Sequence, residues 1–365
     1  MARRVYSEAD KERFAAERRE KLDAMHDQLT SAIMSLQNGQ EWTSWLKFAS
    51  GFHRYSFNNT VLMWSQAQLA AKPMPTMVAG YRAWKAKGCS PRAGEGMRIF
   101  APVSAKVPLR DEGGQPIQDP AGGPVLVRRM VGVKPVTVWD IAGVDGSTPP
   151  PPLSRLLEGQ APPGLWDALA QLVEEAGYRL SRGPCDGANG WTNYATKEIR
   201  VREDVDDAQA VKTLVHELAH ARLHAPGTNP DAAQLVGMHR GVKEVEAESV
   251  AFMVLDAHGV DTSQYTFNYV LGWAQEAARS QVGVVELVSL TGQRVVDTAD
   301  AILQHTRPDD PTPFDPGDAL AASMDIEVPG VSAGTTGVGF EAVPPPAATH
   351  LPVSEPAAPA VAVAR

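Results

Sequence analysis

The chain has 365 residues, 43% of them hydrophobic and 21% charged, with a formal net charge of −9. This length allows a sizeable buried core and favours two domains. Two cysteines, Cys89 and Cys185, are too few for a disulfide framework or a cysteine zinc site, as in a protein of a reducing cytoplasm. We find no secretory signal and no apolar run near the roughly 18 residues of a membrane span, so we expect a cytoplasmic protein without a membrane segment.

Charge is distributed unevenly along the chain. Residues 1–140 contain 20 Lys and Arg against 13 Asp and Glu, whereas the remainder contains 14 against 30. A basic first part beside an acidic second part indicates that the first part binds a polyanion.

The first part mixes helices and strands. A charged helical pattern runs from Ser7 to about Ser35, and a second helix extends to about Leu69 with Asn58 and Asn59 as its cap. Ile99 to Val103 and Val136 to Trp139 are typical of strands, with a long hairpin loop from Glu112 to Pro124 between them.

Aromatic residues alternate with cations and amides in this part. Bases stack on aromatic rings while cations follow the phosphate backbone, so the pattern favours single-stranded nucleic acid as the partner. Four aromatic residues are better explained as core: Trp42, Trp45, Phe48 and Trp64. The polar or half-polar candidates near loops are the expected DNA-binding surface, namely Arg54, Tyr55, Asn58, Tyr81, Trp84, Lys85 and Arg98.

A proline run at Thr148–Pro152 predicts a linker between the two parts. The second part then begins with an amphipathic helix at Pro163–Ala176. Trp191–Tyr194 and Glu198–Arg202 predict a short hairpin, which could offer a strand edge to a substrate backbone.

The strongest chemical signal is His216-Glu217-Leu218-Ala219-His220. A helix from about Ala208 to Leu223 places the two imidazoles four residues apart on one face, where they can bind one zinc ion. Glu217 would then lie beside a metal-bound water and act as its base. This is the arrangement of zinc peptidases, although a five-residue match also arises by chance on ordinary helices.

A third ligand must come from elsewhere. His224 lies about 12 Å along the helix from His216, too far to share one metal, and is better explained as a favourable charge at the helix end. A second helix from Val242 to Asp256 carries Glu244 and Glu248 on one face, with Glu246 pointing away. The economical assignment makes Glu244 the ligand and Glu248 a carboxylate that orients a metal-bound histidine. Glu246 and Glu248 remain alternatives.

Residues beyond Thr306 are rich in Pro, Ala, Gly and Thr. Such a segment cannot bury enough apolar surface to offset the entropy of ordering, so we expect a disordered tail at residues 306–365.

Two sets of motifs resemble one known family. Leu-Val-His-Glu-Leu-Ala-His, with Glu-Val-Glu-Ala-Glu-Ser-Val-Ala after it, is similar to the gluzincin-type metallopeptidases of the ImmA/IrrE and ArdC group. Tyr-Ser-Phe-Asn-Asn at Tyr55 and Val-Ala-Gly-Tyr-Arg-Ala-Trp-Lys at Val78 resemble the N-terminal single-stranded-DNA-binding domain of ArdC-type antirestriction proteins. The resemblance again maps the glutamate ligand to Glu244, and it implies antirestriction and an origin on a plasmid or phage.

These observations predict an α+β protein of two domains. Residues 1–146 would bind single-stranded DNA, 147–162 would be the linker, and 163–305 would form a mainly helical zinc metallopeptidase domain acting on an unknown protein substrate. Tyr194, His258 and Tyr265 are candidate donors to the oxyanion. The alternative is a non-catalytic DNA-protecting protein in which zinc only ties two helices together.

Overall fold

The protein is described from a computed structural model. The described residues are 8–111, 113–119, 122–146, 160–226, 240–262, 265, 267, 283–307 and 362–363.

Three helices precede the first sheet. They are α1 (Glu8–Ser35), α2 (Gly39–Ser50) and α3 (Phe57–Leu69). On α1, Met25, Leu29 and Ile33 of the later turns are buried, whereas Phe14 nearer its start is 37% exposed. Asn58 and Asn59 were predicted to cap α3, but both lie inside the helix and Ser56 takes the cap position. The Asn59 side chain instead exchanges two hydrogen bonds with the backbone of Phe100.

The first sheet has the strand order β1-β4-β3. Its elements are β1 (Val78–Gly80), the short helix α4 (Tyr81–Ala86), β3 (Met97–Pro108) and β4 (Leu126–Asp140), and a separate pair joins β2 (Ser90–Pro91) to β5 (Val144–Asp145). The β3–β4 ribbon is longer than predicted. The sequence pattern misses its outer half, because apolar residues such as Leu126 and Met130 are exposed there and the alternation typical of a strand packed on a core is absent.

The second half carries the helices that form the candidate site. Its elements in order are α5 (Leu165–Glu175), β6 (Arg179–Gly183), β7 (Gly190–Asn193), β8 (Glu198–Arg202), α6 (Asp207–His224), α7 (Arg240–Ala257) and α8 (Val284–Thr306). The predicted β7–β8 hairpin is confirmed; Asn193 Oδ1 accepts the backbone N–H groups of Ala195 and Thr196 and so closes the turn. β6 pairs in parallel with the other side of β8.

One hydrophobic core runs through both halves. α2 packs on α7, where Trp42 Nε1 donates to Ser249 Oγ over 2.9 Å. α3 meets α8 at Gly292, where a Cβ atom would lie 2.1 Å from the Phe57 ring. The mixed α+β class is therefore as predicted, while the predicted domain boundaries stay a prediction.

Some predicted segments lie mostly outside the described residues, namely the linker at residues 147–162 and the tail at residues 306–365. Within the tail, β9 (Ala362–Val363) pairs antiparallel with β7. Among the described helices, none has the length and hydropathy to cross a bilayer.

Candidate metal centre

Helix α6 holds both histidines of the motif. Asp206 caps its first turn by accepting the backbone N–H of Gln209 over 2.7 Å. Val211, Leu214 and Leu218 are buried at helical spacing and fix the rotation of the helix against the core. His216 and His220 are consequently buried as well, on the face that looks toward α7.

Glu244 of α7 completes a triangle with these histidines. His216 Nε2 and His220 Nε2 are 3.0 Å apart, and Glu244 Oε2 lies 3.5 Å from the first and 3.7 Å from the second. Tetrahedral ligands at zinc bond lengths of about 2.0 to 2.1 Å are separated by roughly 3.3 Å. Within the part of the chain that the structure describes, these three residues are the group that could hold a metal ion.

Glu217 lies beside this triangle, and Thr192 of β7 holds it. Thr192 Oγ1 is 2.7 Å from Glu217 Oε2 and also contacts the Glu217 backbone oxygen. Oε1 is buried without a hydrogen-bond partner. A buried carboxylate oxygen needs a donor, and a water on a bound metal would supply one, so the residues present fit a hydrated metal ion.

A glycine permits this close approach of strand and helix. A Cβ atom on Gly190 would lie 2.5 Å from Thr213 Cγ2, 2.8 Å from the Arg200 backbone oxygen and 3.3 Å from Glu217 Cγ. Neither Gly190 nor Thr192 belongs to a recognisable sequence motif, so local spacing gives no signal for their role.

Carboxylates stand behind both histidines. Glu248 Oε2 is 3.1 Å from His216 Nδ1, the contact expected of a carboxylate that orients a ligand, and Lys212 lies 3.5 Å from the other oxygen of Glu248. His220 has a different arrangement: its Nδ1 is 2.8 Å from Nδ1 of His224, whose Nε2 is 2.8 Å from Glu246 Oε2.

The structure adds contacts that the sequence does not reveal. His224 lies in the last turn of α6, as predicted, but its side chain is buried between His220 and Glu246. Glu246 does point away from the triangle, but toward the protein interior, where Arg294 of α8 binds both of its oxygens. Glu246 is therefore occupied and does not compete with Glu244 for the third position.

The electrostatics of the metal-free centre differ between the two histidines. Burial lowers the pKa of His216, but hydrogen bonds with Glu244 and Glu248 outweigh it and the pKa rises to about 10. Burial lowers the pKa of His220 to about 4. Burial opposes ionisation of Glu244, yet its contacts with both histidines hold its pKa below the usual range. Metal binding would therefore compete with protonation of His216.

Burial also raises the pKa of Glu217 to about 7, although the nearby His216 and the hydrogen bond from Thr192 oppose the change. A carboxylate with this pKa is matched to proton transfer near neutral pH.

The three candidate oxyanion donors lie in different surroundings. Burial raises the pKa of Tyr194, and the neighbouring groups Tyr178, Glu217 and Glu244 raise it further. The hydroxyl of Tyr265 is buried without a hydrogen-bond partner, and its ring lies under Lys212. His258 hydrogen-bonds to Thr306 at the end of α8.

The predicted DNA-binding residues are only partly at the surface. Trp84 is fully buried and donates its Nε1–H to the Trp139 backbone oxygen, and Tyr55 is 5% exposed with its hydroxyl on the Val78 oxygen. Neither ring can stack on a base, so the prediction of surface positions is wrong for both. An indole or phenol with a nearby acceptor can be buried fully, which sequence spacing does not reveal.

The remaining candidates are accessible. Tyr81 is 51% exposed at the start of α4, with Lys85 one turn later at 5.9 Å from the centre of its ring. Arg98 is exposed on β3; Asn58 is exposed on α3, and Arg54 is half-buried in the turn before it. Trp139, which the sequence analysis assigned only to a strand, is half-buried and meets Tyr81 edge to face at 6.1 Å.

The part of the chain that carries most of these exposed residues matches a known family. Residues 14–131 match the family model described as the N-terminal domain of anti-restriction factor ArdC. This part of the chain is similar to that N-terminal domain, and we refer to residues 14–131 as the ArdC domain. The ArdC domain includes α1 to α4 and most of the β3–β4 ribbon, and it ends before the metal centre.

The chain is also similar to two crystal structures of the antirestriction ArdC protein from the R388 plasmid. The metal-free structure is 20% identical with a TM-score of 0.44, and the match covers 70% of this chain and 86% of that one. The Mn(II)-bound structure is 19% identical with a TM-score of 0.46, covering 78% and 98%. No curated protein matches the chain.

Proposed function

We propose that this protein is a single-stranded-DNA-binding zinc metallopeptidase with an antirestriction-related role, which cleaves a protein partner found at DNA. The proposal includes the assignment of the second half to the gluzincin-type metallopeptidases of the ImmA/IrrE group. The catalytic role falls to Glu217, and the metal ligands are His216, His220 and Glu244.

One observation carries the peptidase proposal: the carboxylate oxygen Glu217 Oε1 is buried without a partner next to a triangle of three metal-ligand atoms. A structural zinc site is usually closed by four protein ligands, whereas a catalytic site keeps one position open. Three candidates occur together among the described residues, and both ring nitrogens of His224 are occupied elsewhere. These features favour a centre open to water over a structural one.

The residues of the chain would divide the reaction as follows. Zinc, when bound, would lower the pKa of a coordinated water to about 7 and polarise the peptide carbonyl. Glu217 would accept a proton at Oε1 from the attacking water and donate it to the leaving amine, while Thr192 holds Oε2 in place. Tyr194 is our first candidate for the donor to the oxyanion, since it directly follows β7, whose Thr192 contacts Glu217.

Metal content tests the ligand assignment. Purified wild-type protein should contain about one zinc per chain, and Glu244→Gln and the double variant His216→Ala, His220→Ala should lose most of it. Elemental analysis should cover the first-row divalent metals, since the same donor types bind several of them. Glu174→Gln, at an exposed position, and His305→Ala, at a half-buried one, serve as controls, and equal metal in all variants would remove the site.

The exposed aromatic and basic residues of the ArdC domain carry the DNA proposal. We expect binding to a labelled single-stranded oligonucleotide with little sequence preference and with affinity that falls steeply with salt, because phosphate contacts release counterions. Tyr81→Ala should weaken binding roughly 10-fold, since stacking on one ring contributes about 1 to 3 kcal/mol. Lys21→Ala, which removes an exposed cation of α1, is the control. Absence of binding at low salt would make the ArdC domain a protein-interaction module in this chain.

Cleavage is best sought without assuming a substrate. Host lysate treated with wild type or Glu217→Gln, each with and without single-stranded DNA, should differ in a defined set of protein fragments. Identical fragments from both, together with retained zinc and retained DNA protection in Glu217→Gln, would leave a non-catalytic DNA-protecting protein.

A further inference from the structure

We propose that His224, Glu246 and Arg294 form a buried positioning chain that fixes the tautomer and orientation of His220 for metal binding. The proposal rests on the metal centre proposed above, and it assigns a role to three residues outside the triangle. We refer to these three residues as the His224 chain.

The His224 chain is continuous from α8 to α6. Arg294 Nε lies 2.8 Å from Glu246 Oε1 and its Nη2 lies 3.2 Å from Oε2. The same Nη2 donates to the backbone oxygen of Leu223 over 2.9 Å, which anchors the guanidinium at the end of α6. The side chains of Glu246 and His224 are 0% and 2% exposed, so water does not replace these contacts.

The hydrogen positions along the His224 chain follow from its two ends. Arg294 neutralises Glu246 and keeps it an acceptor, so His224 must donate from Nε2. Two imidazole nitrogens 2.8 Å apart need one donor and one acceptor, and His224, with its ring hydrogen on Nε2, supplies the acceptor at Nδ1. His220 therefore donates from Nδ1, and its Nε2 keeps a lone pair directed at Glu244 and His216.

This arrangement is the one that metal binding needs. A metal-ligating histidine usually donates its other ring N–H to an acceptor that fixes the ring, and loss of the acceptor costs about 10- to 100-fold in metal affinity. For His216 the acceptor is the half-exposed Glu248, in direct contact. For His220 the carboxylate acts through an intervening imidazole.

The alternative is a purely structural role, in which the His224 chain joins α6, α7 and α8 and has no effect on metal binding. Both roles predict that changes in the chain lower stability, so stability cannot separate them. Two other measurements separate them: the positions of the hydrogens on the imidazole rings, and the difference in zinc affinity between variants of His224 with and without an acceptor.

The first experiment uses the wild-type protein without metal, labelled with ¹⁵N in its histidines. Long-range ¹H–¹⁵N correlation spectra should show hydrogen on Nδ1 of His220 and on Nε2 of His224. Hydrogen on Nε2 of His220, or rapid exchange between its tautomers, would overturn the proposal whether or not the protein binds zinc.

The second experiment measures zinc affinity by competition with a chelating indicator. His224→Phe keeps the ring volume but removes both nitrogens, and we expect zinc affinity 10- to 100-fold weaker. His224→Asn restores an acceptor near the Nδ1 position, and we expect affinity within about threefold of wild type. His305→Phe, the same substitution in the last turn of α8, is the matched control and should leave affinity unchanged.

The outcomes separate the two proposals. Tight zinc binding by wild type with equal affinity in His224→Phe would remove the His224 chain and leave the metal centre. Absence of zinc from wild type would remove the metal centre, and the tautomer spectra would still decide the His224 chain.

Discussion

At the scale of single residues, the hydrogen bond from Thr192 to Glu217 stabilises the ionised form of a buried carboxylate. Glu217 ionises with a pKa of about 7 because burial opposes its charge, while the nearby His216 and the hydrogen bond from the Thr192 hydroxyl favour the ionised form. Without that hydrogen bond the charged state would lose its donor in the metal-free protein.

Thr192→Val should therefore lower the free energy of unfolding by about 1 to 3 kcal/mol at pH 8, the cost of an unsatisfied buried group. The sign of its pH dependence follows from the raised pKa. The folded-state pKa of Glu217, about 7, exceeds the ordinary value of 4.5, so its contribution to stability is lost as pH rises through 7. Removal of Thr192 raises that pKa further, so the deficit should grow between pH 5 and pH 8.

Urea denaturation of the metal-free protein at several pH values measures this effect. Thr196→Val, in the exposed turn of the same hairpin, is the control and should change stability by no more than about 0.5 kcal/mol. A deficit that does not depend on pH would show that Thr192 acts on packing alone.

At the scale of elements, the contact between β7 and α6 positions the catalytic candidate. The two elements approach so closely at Gly190 that a methyl group would meet both a side chain and a backbone oxygen. Thr192, two residues further along the same strand, then contacts Glu217.

Gly190→Ala should lower the free energy of unfolding by about 1 to 3 kcal/mol, because the Arg200 oxygen belongs to the paired strand β8 and cannot yield easily. It should also reduce cleavage more than zinc content, since it displaces Glu217 and not the ligands. Gly183→Ala on β6 is the matched control, as its Cβ would find its nearest neighbour at 3.8 Å. Equal stability of the two variants would contradict the close approach.

At the scale of the whole molecule, the continuous core couples the ArdC domain to the metal centre. Phe57 of α3 packs on Gly292 of α8, and α8 also supplies Arg294 to the His224 chain. The half that carries the DNA-binding candidates therefore shares a helix contact with the half that carries the metal ligands.

Gly292→Ala should destabilise both halves together, by about 1 to 3 kcal/mol, because its Cβ would overlap the Phe57 ring. Hydrogen exchange followed by mass spectrometry should show reduced protection in α2 and α3 as well as in α6 and α7. Gly283→Ala at the start of α8, where a Cβ meets nothing within 4 Å, is the control. Loss of protection confined to α8 would mean that the halves unfold independently.

The sequence by itself determined the features that depend on local spacing. His216 and His220 lie together because residues four apart share a helix face, whatever the rest of the fold does. The β7–β8 hairpin and the similarity to the ArdC N-terminal domain could also be predicted from the sequence, since the turn residues and the family motifs are each contiguous in the chain.

Only the tertiary structure decided which partners those residues meet. Glu244 and Glu246 are two positions apart, and the rotation of α7 against α6 turns the first toward the histidines and the second toward Arg294. The burial of Trp84 and Tyr55 was decided in the same way, by backbone acceptors on distant strands. The physical reason is that helix rotation and side-chain burial are set by packing between segments far apart in sequence, which no local pattern encodes.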